Sequence, residues 1–160
     1  MPDDGSTKIG DALQRQDDRA VSSLTFNLIV LMNTLTRPFD ANFGERHNIS
    51  LSEWRCIMWL ASKPGASGQE TADGIGMDRM TVSRNLRQLE AKALAAHIPD
   101  PNDRKRKLWS LQTAGWAIYD DLLPSALSRD ATITDGLNPQ QEAEFIRIVL
   151  AAQERLSRTD

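Results

Sequence analysis

The chain has 160 residues, 40% hydrophobic and 26% charged, enough for one ordinary globular domain with a real core. No apolar run approaches the roughly 18 residues of a membrane span, residues 1–18 lack the apolar core of a signal peptide, and a lone cysteine, Cys56, excludes an internal disulfide, so a cytoplasmic setting is expected. The net charge of −3 argues against nucleic acid, yet between Arg79 and Lys107 eight Lys/Arg face three Asp/Glu, a segment of +5 in a chain whose remainder is −8.

Residues 1–16 are polar and read as a flexible arm. From Asp17 an apolar stripe runs through Val21, Leu24, Leu28, Leu31, Met32, Leu35, Phe39 and Phe43 at helical spacing, with Pro38 placed to kink it. Phe26, Ile29 and Val30 lie off that stripe, so this helix should pack on its own domain and on something else. "SLSE" at 50–53 has the form of a capping box and opens a helix that is apolar nearly all round. "SGQE" at 67–70 is a second box, opening a short helix that Gly76 ends.

Asp78 then caps "RMTVSRNLRQLEAK". Beyond Leu94 the chain alternates weakly, turns at "DPND", passes four cations from Arg104 to Lys107, and returns as a strand to Leu111. Thr113 is expected to cap a long helix carrying Pro124 as a kink, and "NPQQ" at 138–141 to cap the last one, with Pro139 in its first turn. The fold class is therefore mainly α with a small β-hairpin.

Two helices joined through "IGMD" make a helix-turn-helix. At 100° per residue, Val82, Leu86 and Leu89 share one face of the second helix and would enter the core. Met80, Thr81, Arg84, Arg87 and Gln88 fall opposite, with Arg79 and Ser83 at the flanks. That outward face suits base edges in a major groove: Arg with guanine, Gln with adenine, Met against a thymine methyl. A helix-turn-helix followed by a hairpin with a cationic tip is a winged helix, whose tip would reach phosphates or the minor groove. The alternative for these charges is an ordinary solvated face and a polar turn.

The segments "LSEWRCIMWLASKPG" (51–65), "MDRMTVSRNLRQLEAKAL" (77–94), "DPNDRKRKLWSLQTAG" (100–115) and "LNPQQEAEF" (137–145) together resemble the MarR family of bacterial transcription regulators, over about residues 20–157. The resemblance implies an obligate homodimer built from the first helix and the last two. It also implies a wing whose Arg104 enters the minor groove, braced by Asp103 or Asp100, and an effector crevice between the dimer helices and the DNA-binding lobe. Three positions depart from the family pattern. Ala93 stands where Gly usually precedes the Leu that opens the wing, and would cost about 1 kcal/mol if a left-handed cap is needed there. Gln112 replaces the usual Thr, leaving Thr113 to cap. Gly74 replaces a longer side chain and should loosen the short helix.

The expected organisation is an arm at 1–16, an N-terminal dimerisation helix at 17–49, a winged helix-turn-helix lobe at 50–112 and C-terminal dimerisation helices at 113–160. The expected DNA-binding residues are Arg79, Met80, Thr81, Ser83, Arg84, Arg87, Gln88, Asp103, Arg104, Lys105, Arg106 and Lys107. The partner would be palindromic double-stranded DNA. Trp54, Trp59 and Trp116, with Arg55 or Arg37 as a cation, would suit a small aromatic acid effector, against the plainer reading that these tryptophans are core. Cys56 reads as an inert buried thiol. His47 and His97 are far apart in sequence with no partners at ligand spacing, and there is no phosphate-cradling Gly loop or nucleophile elbow, so no enzyme activity, cofactor or metal is expected. The competing function is a winged-helix protein–protein module without sequence-specific DNA binding.

Overall fold

The computed structural model describes residues 18–39 and 44–158. The chain forms two compact units, Met1–Arg46 and His47–Asp160. The expected arm, and Phe43 of the apolar stripe, lie outside the described residues.

In the first unit, α1 spans Leu24–Phe39. It is shorter than the sequence pattern: residues 18–23 form turns, and Ser23 precedes the helix, its Oγ accepting from the Phe26 N–H. Pro38 lies inside this helix, one residue before its last described position. Most of both apolar sets stays exposed, Leu24, Leu28, Leu31 and Met32 from the stripe and Phe26, Ile29 and Val30 beside it, while Leu35 is half-buried and Phe39 buried. A single helical turn, Glu45–His47, follows in the chain.

The second unit runs α2 (Leu51–Ser62), β1 (Ala66–Ser67), α3 (Gly68–Ile75), α4 (Arg79–Ala91), β2 (Ala95–Pro99), β3 (Lys107–Leu111), α5 (Thr113–Ile133) and α6 (Pro139–Ser157). The two expected capping boxes are formed. Ser50 Oγ accepts from the Glu53 N–H at 3.2 Å while Glu53 Oε2 accepts from the Ser50 N–H at 2.7 Å. Ser67 and Glu70 do the same for α3, and Gly76 ends it at φ +64. Asp78 caps α4 through the Thr81 N–H at 2.8 Å. Asn138 and Gln141 form a third box at α6, with Pro139 in its first turn.

Cys56, Ile57 and Leu60 of α2 are buried with Val82, Leu86 and Leu89 of α4, as the helical spacing of the latter three requires. Each such side chain contributes about 1.5–3 kcal/mol of burial. The sheet has the order β1-β3-β2, all antiparallel. β1, which the sequence reading did not anticipate, pairs Ala66 with Trp109 and Ser67 with Leu108. Trp109 is buried, with the His97 ring opposite it at 4.7 Å.

Two expectations change. Thr113 does not cap α5: it is the first helical residue, and Gln112 stands at the N-cap without a side-chain bond. The Gln112 N–H instead donates to the Leu94 carbonyl at 2.9 Å, fixing the start of α5 to the start of β2. α5 carries Pro124 inside one continuous helix, as the sequence pattern reads it. Gly74 does not loosen α3: a Cβ at that position would lie 2.2 Å from the Trp59 ring, so the missing side chain is what lets the indole sit against the helix. Ala93 matches expectation, with φ +55. Its N–H donates to the Glu90 carbonyl at 2.9 Å and that of Leu94 to the Leu89 carbonyl at 2.8 Å, a left-handed helix cap built on an L-residue.

Candidate nucleic-acid interface

The α4 face opposite the core points outward. Arg79, Met80, Ser83, Arg84, Arg87 and Gln88 are exposed and Thr81 is half-buried. Met80 is 84% exposed, an apolar side chain held out into solvent where packing cannot account for it. Arg87 Nε donates to the Ser83 carbonyl at 3.1 Å, which aims its guanidinium along the helix surface. Asn85, on the same helix, is buried and faces Ser52 at 3.5 Å, so it belongs to the core and not to the outward face.

The wing tip, residues 100–106, is closed by its own polar groups. The Asp100 N–H donates to the Arg106 carbonyl at 2.9 Å, and the Arg106 N–H to the Asp103 carbonyl at 2.8 Å. Asp103 Oδ1 accepts from the Lys105 N–H at 3.0 Å, and Asp100 Oδ1 from the Asn102 N–H at 2.8 Å. Both carboxylates are thus spent on the turn's backbone, with Asp100 Oδ2 also facing Arg106 at 3.7 Å. They hold the turn's shape. Arg104, Lys105 and Lys107 are exposed, and Lys107 Nζ lies 5.8 Å from the centre of the Trp109 ring.

An open groove of about 660 Å³ joins these parts, bounded by Gly68 at the start of α3, Ser83 and Arg87 of α4, and Lys105 and Lys107 of the wing. Helix face and wing therefore share one surface of this unit.

Two cations of the basic segment are committed elsewhere. Lys92 Nζ lies 2.6 Å from Glu53 Oε1 and donates to the Asn48 carbonyl at 2.6 Å. Glu53 is only 3% exposed, so this pair compensates a carboxylate already used in a capping box. Arg106 reaches away from the tip to Glu70 Oε1 at 2.8 Å and Ser67 Oγ at 3.3 Å. The Ser67 N–H and the Arg106 guanidinium hold the Glu70 carboxyl well below its usual range, at about 2. Neither pairing is visible in sequence, because the partners are 39 and 36 residues apart and meet only through the packing of α2 on α4 and the return of the wing toward α3.

The aromatic residues expected to line one crevice fall into two groups. Trp54 is buried and stands 6.0 Å from Tyr119, which Trp116 meets edge-on at 5.6 Å. Tyr119 was missed in the sequence, although its position one turn beyond Trp116 on α5 was the available signal. Trp59 and Arg55 instead line an open cleft of about 330 Å³ with Met58, Ser62 and Ile75. Arg37 belongs to the first unit. Cys56 is fully buried, and burial pushes its thiol up to about 12. His47 Nε2 lies 2.8 Å from Asp121 Oδ2. His97 Nδ1 approaches Glu90 at 2.7 Å without the alignment of a hydrogen bond. Among the described residues no group of three or more His, Cys, Asp or Glu is placed to hold a metal ion, and no helix is long and apolar enough to cross a membrane.

Residues 47–106, from the start of the second unit through the wing tip, match the family model described as MarR family. Over these residues the lobe is similar to the MarR-family winged helix. The MarR fold extends beyond it. A MarR/EmrR family transcriptional regulator from Acinetobacter sp. ADP1 superposes with a TM-score of 0.73 at 20% identity, over 89% of this chain and 99% of that one. NadR in complex with 4-hydroxyphenylacetate gives 0.73 at 21%, over 87% and 96%. Bordetella bronchiseptica BpsR, whose DNA binding is regulated by 6-hydroxynicotinic acid, gives 0.71 at 19%, over 82% and 93%. No curated protein matches the chain in sequence. The Acinetobacter protein and a matching MarR-family protein from Silicibacter pomeroyi are transcriptional regulators.

Proposed function

We propose that the chain is a homodimeric, cytoplasmic transcriptional regulator, a repressor, that binds palindromic duplex DNA and is released from it by a small aromatic acid. One observation carries the reading: Ser83 and Arg87 of α4 and Lys105, Arg106 and Lys107 of the wing border a single groove, with Met80, Arg84 and Gln88 exposed on the same helix. Each protomer would lay α4 into the major groove of one half-site. Arg84 and Gln88 would read base edges, Met80 a thymine methyl, and Arg79, Ser83 and Arg87 would steady the helix on the backbone. Arg104, Lys105 and Lys107 would follow the strand into the minor groove, while Asp103 keeps the turn in shape.

Dimerisation is supported by the apolar residues left in water. Phe145, Ile146, Ile148, Val149 and Leu150 of α6 are exposed, as are Leu24, Leu28, Leu31 and Met32 of α1. Covering both sets would bury well above the roughly 1,600 Å² of a standard interface. The effector reading is supported by the aromatic wall of Trp54, Trp116 and Tyr119 and by the cleft holding Arg55 and Trp59. The ligands of NadR and BpsR are small aromatic acids of the class these surfaces suit.

Selection from a random duplex pool tests the function. Enrichment of an inverted repeat, with release by 4-hydroxyphenylacetate or 6-hydroxynicotinate, is expected. A pool left unenriched, with an affinity indifferent to salt, would favour the protein–protein module instead.

A further inference from the structure

Arg106 sits inside the wing's cationic run but behaves differently from its neighbours. Its backbone closes the tip, accepting from the Asp100 N–H and donating to the Asp103 carbonyl. Its side chain spans from the hairpin to the start of α3, meeting Glu70 and Ser67. Ser67 is also the α3 N-cap and pairs with Leu108 in the sheet, so three elements converge on one guanidinium. Glu70 remains charged across the whole working pH range, since its carboxyl is held at about 2. We propose that Arg106 is a positioning residue: it latches the wing to the N-terminus of α3 through Glu70, and presents Arg104, Lys105 and Lys107 to DNA without contacting phosphate itself.

The inference deepens the DNA-binding reading and rests on it. The physical reason is preorganisation. A hairpin tip joined to the lobe only by two strands would lose freedom on docking, and a latch formed beforehand removes that cost from the binding step. The pair is about half exposed on each side, so it contributes little to global stability, and its effect should appear in binding instead.

Glu70→Gln separates the two possible roles of Arg106 by sign. Gln keeps the capping box, because it too can accept from the Ser67 N–H. If Arg106 were a phosphate contact, removing the competing carboxylate would free its charge and tighten binding. If Arg106 is a latch, Glu70→Gln should weaken binding roughly two- to tenfold, as loss of one exposed pair in each protomer allows. Arg106→Gln should weaken it by a similar factor with the salt slope unchanged, and the double variant should be no worse than either single one. Asp73→Asn, on the same helix but outside the latch, controls for the charge change and should bind as well as wild type or better.

A second readout needs no DNA. In the free protein, the Asp100 and Arg106 amides should exchange faster in Glu70→Gln while those of α4 stay protected. Tighter binding by Glu70→Gln, a lowered salt slope for Arg106→Gln, or unchanged exchange at the wing amides would each overturn the latch. Failure of the wild-type chain to bind duplex DNA would overturn the functional reading, and the exchange measurement would still decide whether the latch exists.

Discussion

Ala93→Gly probes the strain at the junction of α4 and the wing. Ala93 has φ +55, where an L-residue brings its Cβ against the following carbonyl at a cost of about 1–2 kcal/mol. Glycine removes that cost but makes the unfolded chain more flexible, which returns about 0.4–1 kcal/mol. The Ala93 methyl is exposed, so little packing is lost with it. The balance is a stabilisation of about 0.5–1 kcal/mol, or about 1–4 °C in Tm for a chain of this length. Denaturant unfolding at one fixed protein concentration should show a raised midpoint with an unchanged slope, since a dimer's stability depends on concentration. An unchanged or lowered midpoint would refute the argument, and would mean that the surrounding hydrogen bonds accommodate the left-handed alanine without strain.

Gly115→Ala should destabilise by about 1–3 kcal/mol, because the new Cβ would lie 2.1 Å from the Leu94 carbonyl oxygen, which is backbone and already engaged by Gln112; a neutral result in the same unfolding experiment would show that α5 can slide. Cys56 should react with a disulfide-exchange reagent only at the rate of unfolding, given its burial and a thiol pushed up to about 12; reaction of the native protein within seconds would contradict this. Glu70 has a folded-state value of about 2 against an ordinary 4.5, so its stabilising effect is full above pH 4.5 and disappears as pH falls from there through 2. Glu70→Gln should therefore flatten the acid limb of the stability curve in that window by a small amount, since the pair is exposed and screened by solvent, and a limb made steeper by the substitution would argue against the pairing.

The sequence was most informative where structure depends on neighbours in the chain. Ser50, Ser67, Asp78 and Asn138 are capping residues because each bond reaches only two or three residues ahead. Val82, Leu86 and Leu89 follow directly from the helical period, and so does the exposed set from Arg79 to Gln88. The pairings of Arg106 with Glu70 and Lys92 with Glu53 were hidden, because they depend on which strands and helices come to lie side by side. Charge counting therefore could not show that two of the segment's cations are ion-paired within the lobe. Gly74 was misread for the same reason. Its composition suggested a weak helix, while its actual role is set by Trp59 arriving from α2. Trp54, Trp59 and Trp116 looked alike in sequence, yet 100° per residue places Trp54 and Trp59 on different sides of α2.

The central claim is that α4 reads bases while the wing holds the backbone. It is tested by the affinity of wild type, Arg84→Ala and Lys105→Ala for the selected duplex and a scrambled one, across a range of salt. Arg84→Ala should lose roughly 1–3 kcal/mol on the selected duplex alone and relax preference at one position per half-site. Lys105→Ala should weaken both duplexes alike and lower the salt slope by about 0.9 per lost phosphate contact, twice in a dimer. Equal losses on both duplexes for Arg84→Ala would contradict the account, and would make α4 a phosphate clamp rather than a reading helix.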